Sequence, residues 1–292
     1  MTSVMAAKRG VVRGMVKGVA AVSLLLLATG GFFAWQHFAP VSAAAGWEYR
    51  VAHDDVPKAA GLAIDEQGNL LVTEELRNKK GAMRRIARDG QRSLVLDGLT
   101  KPDGLAAFMG GFAFSQETAD APVSLLKDGK VTTLFMANDG QGLKADGPLL
   151  YAIEDRKGDG RLMRYDARTE TLEVLRDNLS ESESIEICPG NKMLYTVKEQ
   201  GVVRQLSEDK ADPVYLDGLK EPTFLLCDER GLWIVEDQTH QARLWLLDNN
   251  GKLQTVLSNL RAPQALLPTG PGHYLLAEGG RNRVLALSFT GN

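Results

Sequence analysis

A block of about forty residues recurs six times in this chain, and this repeat constrains the fold more than any other feature. Three copies are clear: SLVLDGLTKPDGLAAFMGGFAFSQE, PVYLDGLKEPTFLLCDERGLWIVED and QTVLSNLRAPQALLPTGPGHYLLAEG. The copy LEVLRDNLSESESIEICPGNKMLYTVKE lacks the proline, TTLFMANDGQGLKADGPLLYAIED is shortened, and AAGLAIDEQGNLLVTEE opens the series as a half-copy. A repeat of this kind is typical of folds in which each small unit packs against the next.

The length and composition of the repeat indicate strands. Six copies between Trp47 and Asn292 give about 41 residues per copy, the length of a four-stranded propeller blade. Runs such as LLVTE, LLYAIE, LWIVE and YLLAE are short, apolar and rich in β-forming residues, and turn residues separate them. The sequence therefore predicts an all-β domain over residues 47–292, a six-bladed β-propeller of four-stranded blades.

The two ends of this region suggest how the ring closes. The last copy ends in RNRVLALSFTGN, which supplies a third strand and then stops. The segment WEYRV, from Trp47 to Val51, has strand character and precedes the first copy. We predict that it pairs as the fourth, outer strand of the last blade, because closure removes an open sheet edge.

The first 46 residues have a different composition. They contain no carboxylate and four cations, Lys8, Arg9, Arg13 and Lys17. Residues 18–35 carry no charge, and eighteen helical residues span about 27 Å, close to the thickness of a bilayer core. Cations before this segment place the N-terminus in the cytoplasm and the rest of the chain outside.

Two interpretations of the N-terminal segment remain. It is either a signal anchor that holds a periplasmic domain at the inner membrane, or a signal peptide cleaved near Ala43 or Ala45. The length of the apolar stretch favours the anchor. Residues 1–46 are then the basic cytoplasmic start, a transmembrane helix and a short linker, and the propeller is extracytoplasmic.

Two cysteines would lie in that oxidising compartment, where pairing is allowed. Cys188 and Cys227 fall near the lower ends of consecutive inner strands. Their registers differ by one residue, which turns their side chains apart. We therefore expect a buried pair of free thiols.

The charge of the body excludes one class of partner. The whole chain carries a net charge of −3, so the residues after the basic start carry −7. Nucleic-acid binding requires a basic surface, and we expect none here. An acidic face would instead attract cations or a basic protein partner.

The repeat also predicts which residues face the channel. The inner strand of each blade begins at one end of the channel, here called the upper face, so the residue between the proline and the glycine lies at the mouth. These residues are Ala60, Asp103, Gln141, Glu183, Thr223 and Gln264. Their carboxylate and amide oxygens could hold one hard cation, or could simply line a water-filled channel.

A glutamate closes each copy near the same face. These residues are Glu75, Glu117, Glu154, Glu199, Glu236 and Glu278. We expect them to accept backbone N–H bonds as structural caps. The stretch DRKGDG lacks the alternating acids of a calcium loop and is interpreted as a turn. Among the histidines only His240, in a predicted upper loop, is placed to serve as a general base.

The repeated P-x-G-L…G-x-L-x-V-x-E/D units resemble the six-bladed propellers of the senescence-marker-protein/gluconolactonase superfamily, which paraoxonases, strictosidine synthases and NHL-repeat proteins resemble in build. The resemblance covers residues 47–292. It implies one divalent metal at the top of the channel, with calcium the best match. The matching positions are Ala60, Asn138, Glu183 and Thr223, and Asp103 would replace a missing acid. The implied ligands are Asp103, Asn138 and Glu183.

Two functions follow from the resemblance. The first is metal-assisted hydrolysis of a lactone or ester, of gluconolactonase or arylesterase type, with Glu183 and Asp103 catalytic. Its substrate would contact Gln141, Thr223, Gln264 and His240. A metal-free variant would use Glu183 for proton transfer, as in strictosidine synthase. The alternative is a non-catalytic periplasmic propeller that binds a ligand or a protein and retains a degenerate metal site.

Overall fold

A computed structural model describes residues 2–291, with side chains described from residue 17 onward. The chain divides into two compact units, Met1–Pro40 and Val41–Asn292. The side chains of Lys8, Arg9 and Arg13, on which the predicted membrane orientation rests, lie outside the described residues.

The first unit is a single helix, α1 (Thr2–Phe38). Its segment Lys17–Phe38 has 22 residues and is long and apolar enough to cross a bilayer. A helix of that length rises about 33 Å. The apolar side chains of Leu24 to Leu27 are largely exposed. A signal anchor and a signal peptide share these properties.

The second unit is a six-bladed β-propeller, as the repeat predicts. Each blade contains four antiparallel strands, which follow sequence order from the channel outward except for the outer strand of blade 6, and every inner strand begins at the upper face. Blade 1 contains β3 (Ala59–Ile64), β4 (Leu70–Glu74), β5 (Gly81–Ile86) and β6 (Arg92–Leu99). Blade 2 contains β7 (Pro102–Phe108), β8 (Gly111–Gln116), β9 (Ala121–Lys127) and β10 (Lys130–Ala137). Blade 3 contains β11 (Gly140–Asp146), β12 (Leu149–Glu154), β13 (Gly160–Asp166) and β14 (Thr171–Leu179).

The remaining three blades include the first and last strands of the propeller. Blade 4 contains β15 (Ile185–Cys188), β16 (Lys192–Val197), β17 (Val202–Gln205) and β18 (Val214–Leu216). Blade 5 contains β19 (Pro222–Asp228), β20 (Gly231–Glu236), β21 (Ala242–Asp248) and β22 (Leu253–Leu260), extended at its edge by β1 (Ser42–Ala43). Blade 6 contains β23 (Pro263–Gly270), β24 (His273–Glu278), β25 (Arg283–Phe289) and β2 (Trp47–His53), with a short 3-10 turn at Gly279–Arg281.

The predicted closure of the ring is confirmed. Strand β2 pairs antiparallel with β25 as the outer strand of blade 6, with Trp47 opposite Phe289. The indole of Trp47 packs edge-on against Trp233 of blade 5 at 5.3 Å between ring centroids and contacts Tyr274 of blade 6 at 6.2 Å. The N-terminal strand therefore joins blade 6 and also fills the core between the last two blades.

The inner strands approach one another closely, and the glycine of the P-x-G motif allows it. A Cβ at Gly61 would collide with the carbonyl oxygen of Asp103 in blade 2. A Cβ at Gly104 would likewise collide with the carbonyl oxygen of Gln141 in blade 3. The repeated glycine is thus a packing requirement at the centre of the ring.

The expectation of free thiols was wrong. Cys188 and Cys227 form a disulfide between the inner strands of blades 4 and 5, with their Cα atoms 5.2 Å apart. Cys188 is the last residue of β15, where the twist of the sheet and the adjoining turn redirect the side chain. The offset of one residue therefore does not separate the two sulfur atoms.

Candidate functional site

The channel contains two cavities separated by a layer of polar side chains. The upper cavity has a volume of about 390 Å³ and is lined mainly by charged residues. The lower cavity, of about 420 Å³, is lined mainly by the apolar residues of the inner strands. The layer between them consists of Asp103, Gln141, Glu183, Thr223 and Gln264.

Irregularities at the start of the inner strands position this layer. In five blades the ladder between the first two strands shifts register at the mouth, as between Pro102 and Leu105 in blade 2. Such bulges redirect a side chain. Hydroxyl groups of the second strand hold the turn: Ser115 accepts a hydrogen bond from the N–H of Gly104 at 3.1 Å, and Thr196 accepts one from Glu183 at 3.2 Å.

The predicted site residues are only partly brought together. Asp103 and Glu183 are both buried in the polar layer, and Asp103 accepts a hydrogen bond from the side chain of Gln141. Thr223 donates from its hydroxyl to the carbonyl of Val235 at 3.4 Å. Neither Asn138 nor His240 lines either cavity.

The capping role is confirmed for three of the six closing glutamates. Oε1 of Glu154 accepts the N–H of Asn138 at 2.7 Å, and Glu236 and Glu278 bind the backbone in the same way. The closing positions in the other blades are Glu74, Gln116 and Val197. Glu75, Glu117 and Glu199 were therefore assigned wrongly, because adjacent acids and the irregular fourth copy hide the register.

The position after the closing residue forms a second ring that the sequence interpretation missed. Five of its members line the upper cavity: Glu75, Glu117, Asp155, Lys198 and Asp237. Because successive side chains along a strand point in opposite directions, these side chains point into the mouth, whereas the caps are buried. Two of its members, Glu75 and Glu117, were among the glutamates chosen from the repeat, and Asp155 and Asp237 directly follow two others.

Two lysines neutralise most of these acids. The ammonium of Lys101 contacts carboxylate oxygens of both Glu75, at 3.3 Å, and Glu117. The ammonium of Lys198 lies 2.7 Å from Oε1 of Glu183 and 3.3 Å from Oδ2 of Asp237. Each ammonium therefore lies between carboxylates of two different blades.

Burial changes the protonation of the acids at the mouth. Burial, together with the charges of Glu75 and Glu117, raises the pKa of Asp103 to about 8. Burial and Glu117 raise the pKa of Asp155 to about 6. Burial raises the pKa of Glu183, and the charge of Lys198 opposes this shift. The pKa of Lys198 is also raised, since the attraction of Glu183 and Asp237 outweighs the effect of burial.

The residues present do not fit a divalent cation. The ammonium of Lys198 lies 2.7 Å from Oε1 of Glu183, and its positive charge opposes binding of a cation there. Oδ1 of Asn138 accepts the N–H of Asp120 at 2.9 Å and lies outside the cavity lining. Within residues 2–291, no three His, Cys, Asp or Glu side chains are grouped so that they could hold a metal ion. The metal site implied by the resemblance is therefore not formed by this set of donors.

Several buried acceptors at the mouth have no donor within the described part of the chain. They are Oε1 of Gln141, Oδ1 of Asp155 and Oε2 of Glu183. Gln141 is only 8% exposed and Glu183 only 3%. Buried acceptors of this kind cost free energy unless something donates to them. All three residues line the upper cavity and present acceptors to whatever occupies it.

Comparisons with solved structures identify the same architecture. A gluconolactonase from Xanthomonas campestris superposes with a TM-score of 0.67 at 14% identity, covering 84% of this chain and 91% of that one. The chain has the fold of the gluconolactonase-like six-bladed propellers. A second structure, a putative gluconolactonase, gives a TM-score of 0.67 at 12% identity over 84% of this chain and 93% of that one.

A structure of different description has the same fold. An auxiliary nutrient binding protein from Bacteroides thetaiotaomicron superposes with a TM-score of 0.62 at 15% identity, covering 82% of this chain and 70% of that one. No protein-family model and no curated protein sequence matches the chain. At these identities the likeness establishes the fold, and the function must be argued from the site.

Proposed function

We propose that this protein is an exported propeller, held at the membrane by α1, whose upper cavity binds a small polar molecule without a metal ion. The observation that carries the proposal is the set of buried acceptors without donors in Gln141, Asp155 and Glu183. A ligand that supplies the missing donors would recover their free energy. The solved nutrient-binding propeller supports such a use of this fold.

Two features support export. The disulfide between Cys188 and Cys227 suits an oxidising compartment. The apolar helix Lys17–Phe38 supplies a segment able to direct export or to anchor the chain. Strand β1 favours the uncleaved anchor, because cleavage after Ala43 or Ala45 would remove a strand that pairs with β22.

Proton transfer in the same cavity is a second candidate function, favoured by the raised pKa values. Asp155, with its pKa near 6, could act as a base at neutral pH, while Asp103 stays protonated and could act as an acid. Hydrolysis of a lactone or ester would then use Asp155 as the base that activates a water molecule and Asp103 as the acid.

A thermal-shift screen of small polar metabolites against the full-length protein in detergent tests the proposal. We expect saturable stabilisation by at least one class of compound, and loss of that stabilisation in Gln141→Leu but not in Gln67→Leu, an exposed control. Absence of any saturable hit, or hits that Gln141→Leu leaves unchanged, would contradict ligand binding at this cavity. Turnover of lactones or aryl esters that Asp155→Asn abolishes would establish the second candidate instead.

A further inference from the structure

Among the described acids that line the upper cavity, Asp155 and Glu221 have no ion pair; Glu221 is exposed, whereas Asp155 has a buried carboxylate oxygen. Glu75 and Glu117 share the ammonium of Lys101, and Glu183 and Asp237 share that of Lys198. Among the described residues, Asp155 has no ion pair within 4.0 Å, although its side chain lines the same cavity. Its Oδ1 is buried and receives no hydrogen bond.

The same cavity contains two further acceptors without a donor. Gln141, from the inner strand of the same blade as Asp155, presents its unpaired Oε1 to the cavity. Glu183, from the neighbouring blade, uses one oxygen to contact Lys198 and leaves Oε2 without a donor. Three acceptors, one of them an unneutralised carboxylate, match the three N–H donors and the charge of a primary ammonium group.

We propose that the ligand of the upper cavity carries a primary ammonium group, which binds between Asp155, Gln141 and Glu183. This inference rests on the proposed function and names the chemistry of its ligand. Two ammonium groups of the protein already bind in this way, because Lys101 and Lys198 each place an ammonium between carboxylates of this cavity. The described residues that line the cavity include no aromatic side chain. A quaternary ammonium, which is recognised by aromatic faces, therefore does not suit it.

The groups around Asp155 set the pH dependence of binding. Glu117, Glu181 and Glu183 face it with negative charge, and Lys101 and Lys198 oppose them. Because the pKa of Asp155 lies near 6, the carboxylate is ionised at pH 7.5 and largely protonated at pH 5. We expect affinity for an ammonium to fall through this window, whereas binding of a neutral polyol would not depend on this charge.

Three matched probes test the inference by calorimetry and saturation-transfer NMR on the full-length protein in detergent: ethanolamine, choline and ethylene glycol. We expect ethanolamine to bind at least tenfold more tightly than the other two at pH 7.5 and to weaken by about tenfold at pH 5. Asp155→Asn should remove the preference for ethanolamine. Asp146→Asn, an exposed aspartate at the lower end of β11, is the control and should retain it.

The outcomes separate this inference from the proposed function. Equal binding of ethanolamine and ethylene glycol, or an ethanolamine preference that survives Asp155→Asn, would overturn the ammonium assignment and leave a neutral polyol site. If no probe binds and the metabolite screen also gives no saturable hit, both proposals fail. If the screen finds only neutral or anionic ligands for this cavity, the inference alone fails.

Discussion

Single residues at the mouth are held in unusual protonation states by burial. Asp103 is the clearest case, because it is buried, accepts a hydrogen bond from Gln141 and has a pKa of about 8. A carboxyl group in this state is neutral at pH 7, like the amides beside it. The polar layer is therefore less negative than its sequence indicates.

The raised pKa of Asp103 predicts the direction of a pH effect on stability. In the unfolded chain Asp103 ionises near pH 4, so unfolding releases a proton between about pH 4 and pH 8. This group makes the free energy of unfolding fall as pH rises through that window, by at most about 1.4 kcal/mol per pH unit. Asp103→Asn should remove this slope and be more stable than the wild type at pH 8. Urea denaturation from pH 4 to 9, with Asp146→Asn as control, measures it; identical slopes would contradict the assigned pKa.

At the scale of elements, two features connect strands that are far apart in the sequence. The disulfide joins β15 and β19, inner strands of adjacent blades, across a separation of 39 residues. Strand β1 extends the edge of blade 5, where Val41 is buried and its carbonyl accepts a hydrogen bond from Tyr49 at 2.8 Å. Both features tie segments that are distant in sequence to the ring.

Breaking the disulfide should destabilise the propeller. Closing a loop of this length restricts the unfolded chain by about 4 kcal/mol in the chain-entropy treatment. We expect Cys188→Ser with Cys227→Ser to lower the free energy of unfolding by roughly that amount, as measured by denaturation with guanidinium. A reducing agent should lower the free energy of unfolding of the wild type by a similar amount and leave that of the double variant unchanged. Two titratable thiols in the native, unreduced protein would show that the bond does not form.

The N-terminal segment should remain attached in the mature protein. Because β1 and the buried Val41 belong to the propeller, we expect mass spectrometry of the purified protein to find the uncleaved chain, retained in membranes after a carbonate wash. An exported chain that begins at Val41 should be soluble and as stable as the full chain. One that begins at Gly46 should lose stability. A mature N-terminus at Ala44 or Gly46 would contradict the anchor.

At the scale of the whole molecule, stability depends on closing the ring. Trp47 brings the first strand into the core between blades 5 and 6, where it contacts Trp233 at 5.3 Å and Phe289 at 5.0 Å between ring centroids. Trp47→Ala should lower the free energy of unfolding by about 3–5 kcal/mol, as expected for a buried aromatic side chain. Val51→Ala, at an exposed position of the same strand, should change it little. Equal effects in the two variants, by denaturant titration, would contradict closure through Trp47.

Most of the architecture follows from the sequence because the repeat encodes it. The strands, the blade count, the outer strand from Trp47 and the residues of the polar layer all come from one periodic pattern. The features that depart from the repeat could not be predicted from it. Lys198 occupies a position that is acidic in four other blades, and Lys101 reaches the acids from a loop. The disulfide depends on a local twist that the register does not contain.

At the mouth, we infer that the ammonium groups of Lys101 and Lys198 neutralise the acids that a metal ion would need. A calcium titration of thermal stability, on the wild type and on Lys198→Met, tests it most directly. We predict no calcium effect on the wild type, and no effect on Lys157→Met, an exposed control. Lys198→Met should be destabilised by about 3 kcal/mol, because it leaves Glu183 and Asp237 without a counter-charge, and calcium should restore part of that loss. Saturable stabilisation of the wild type by calcium would contradict the account.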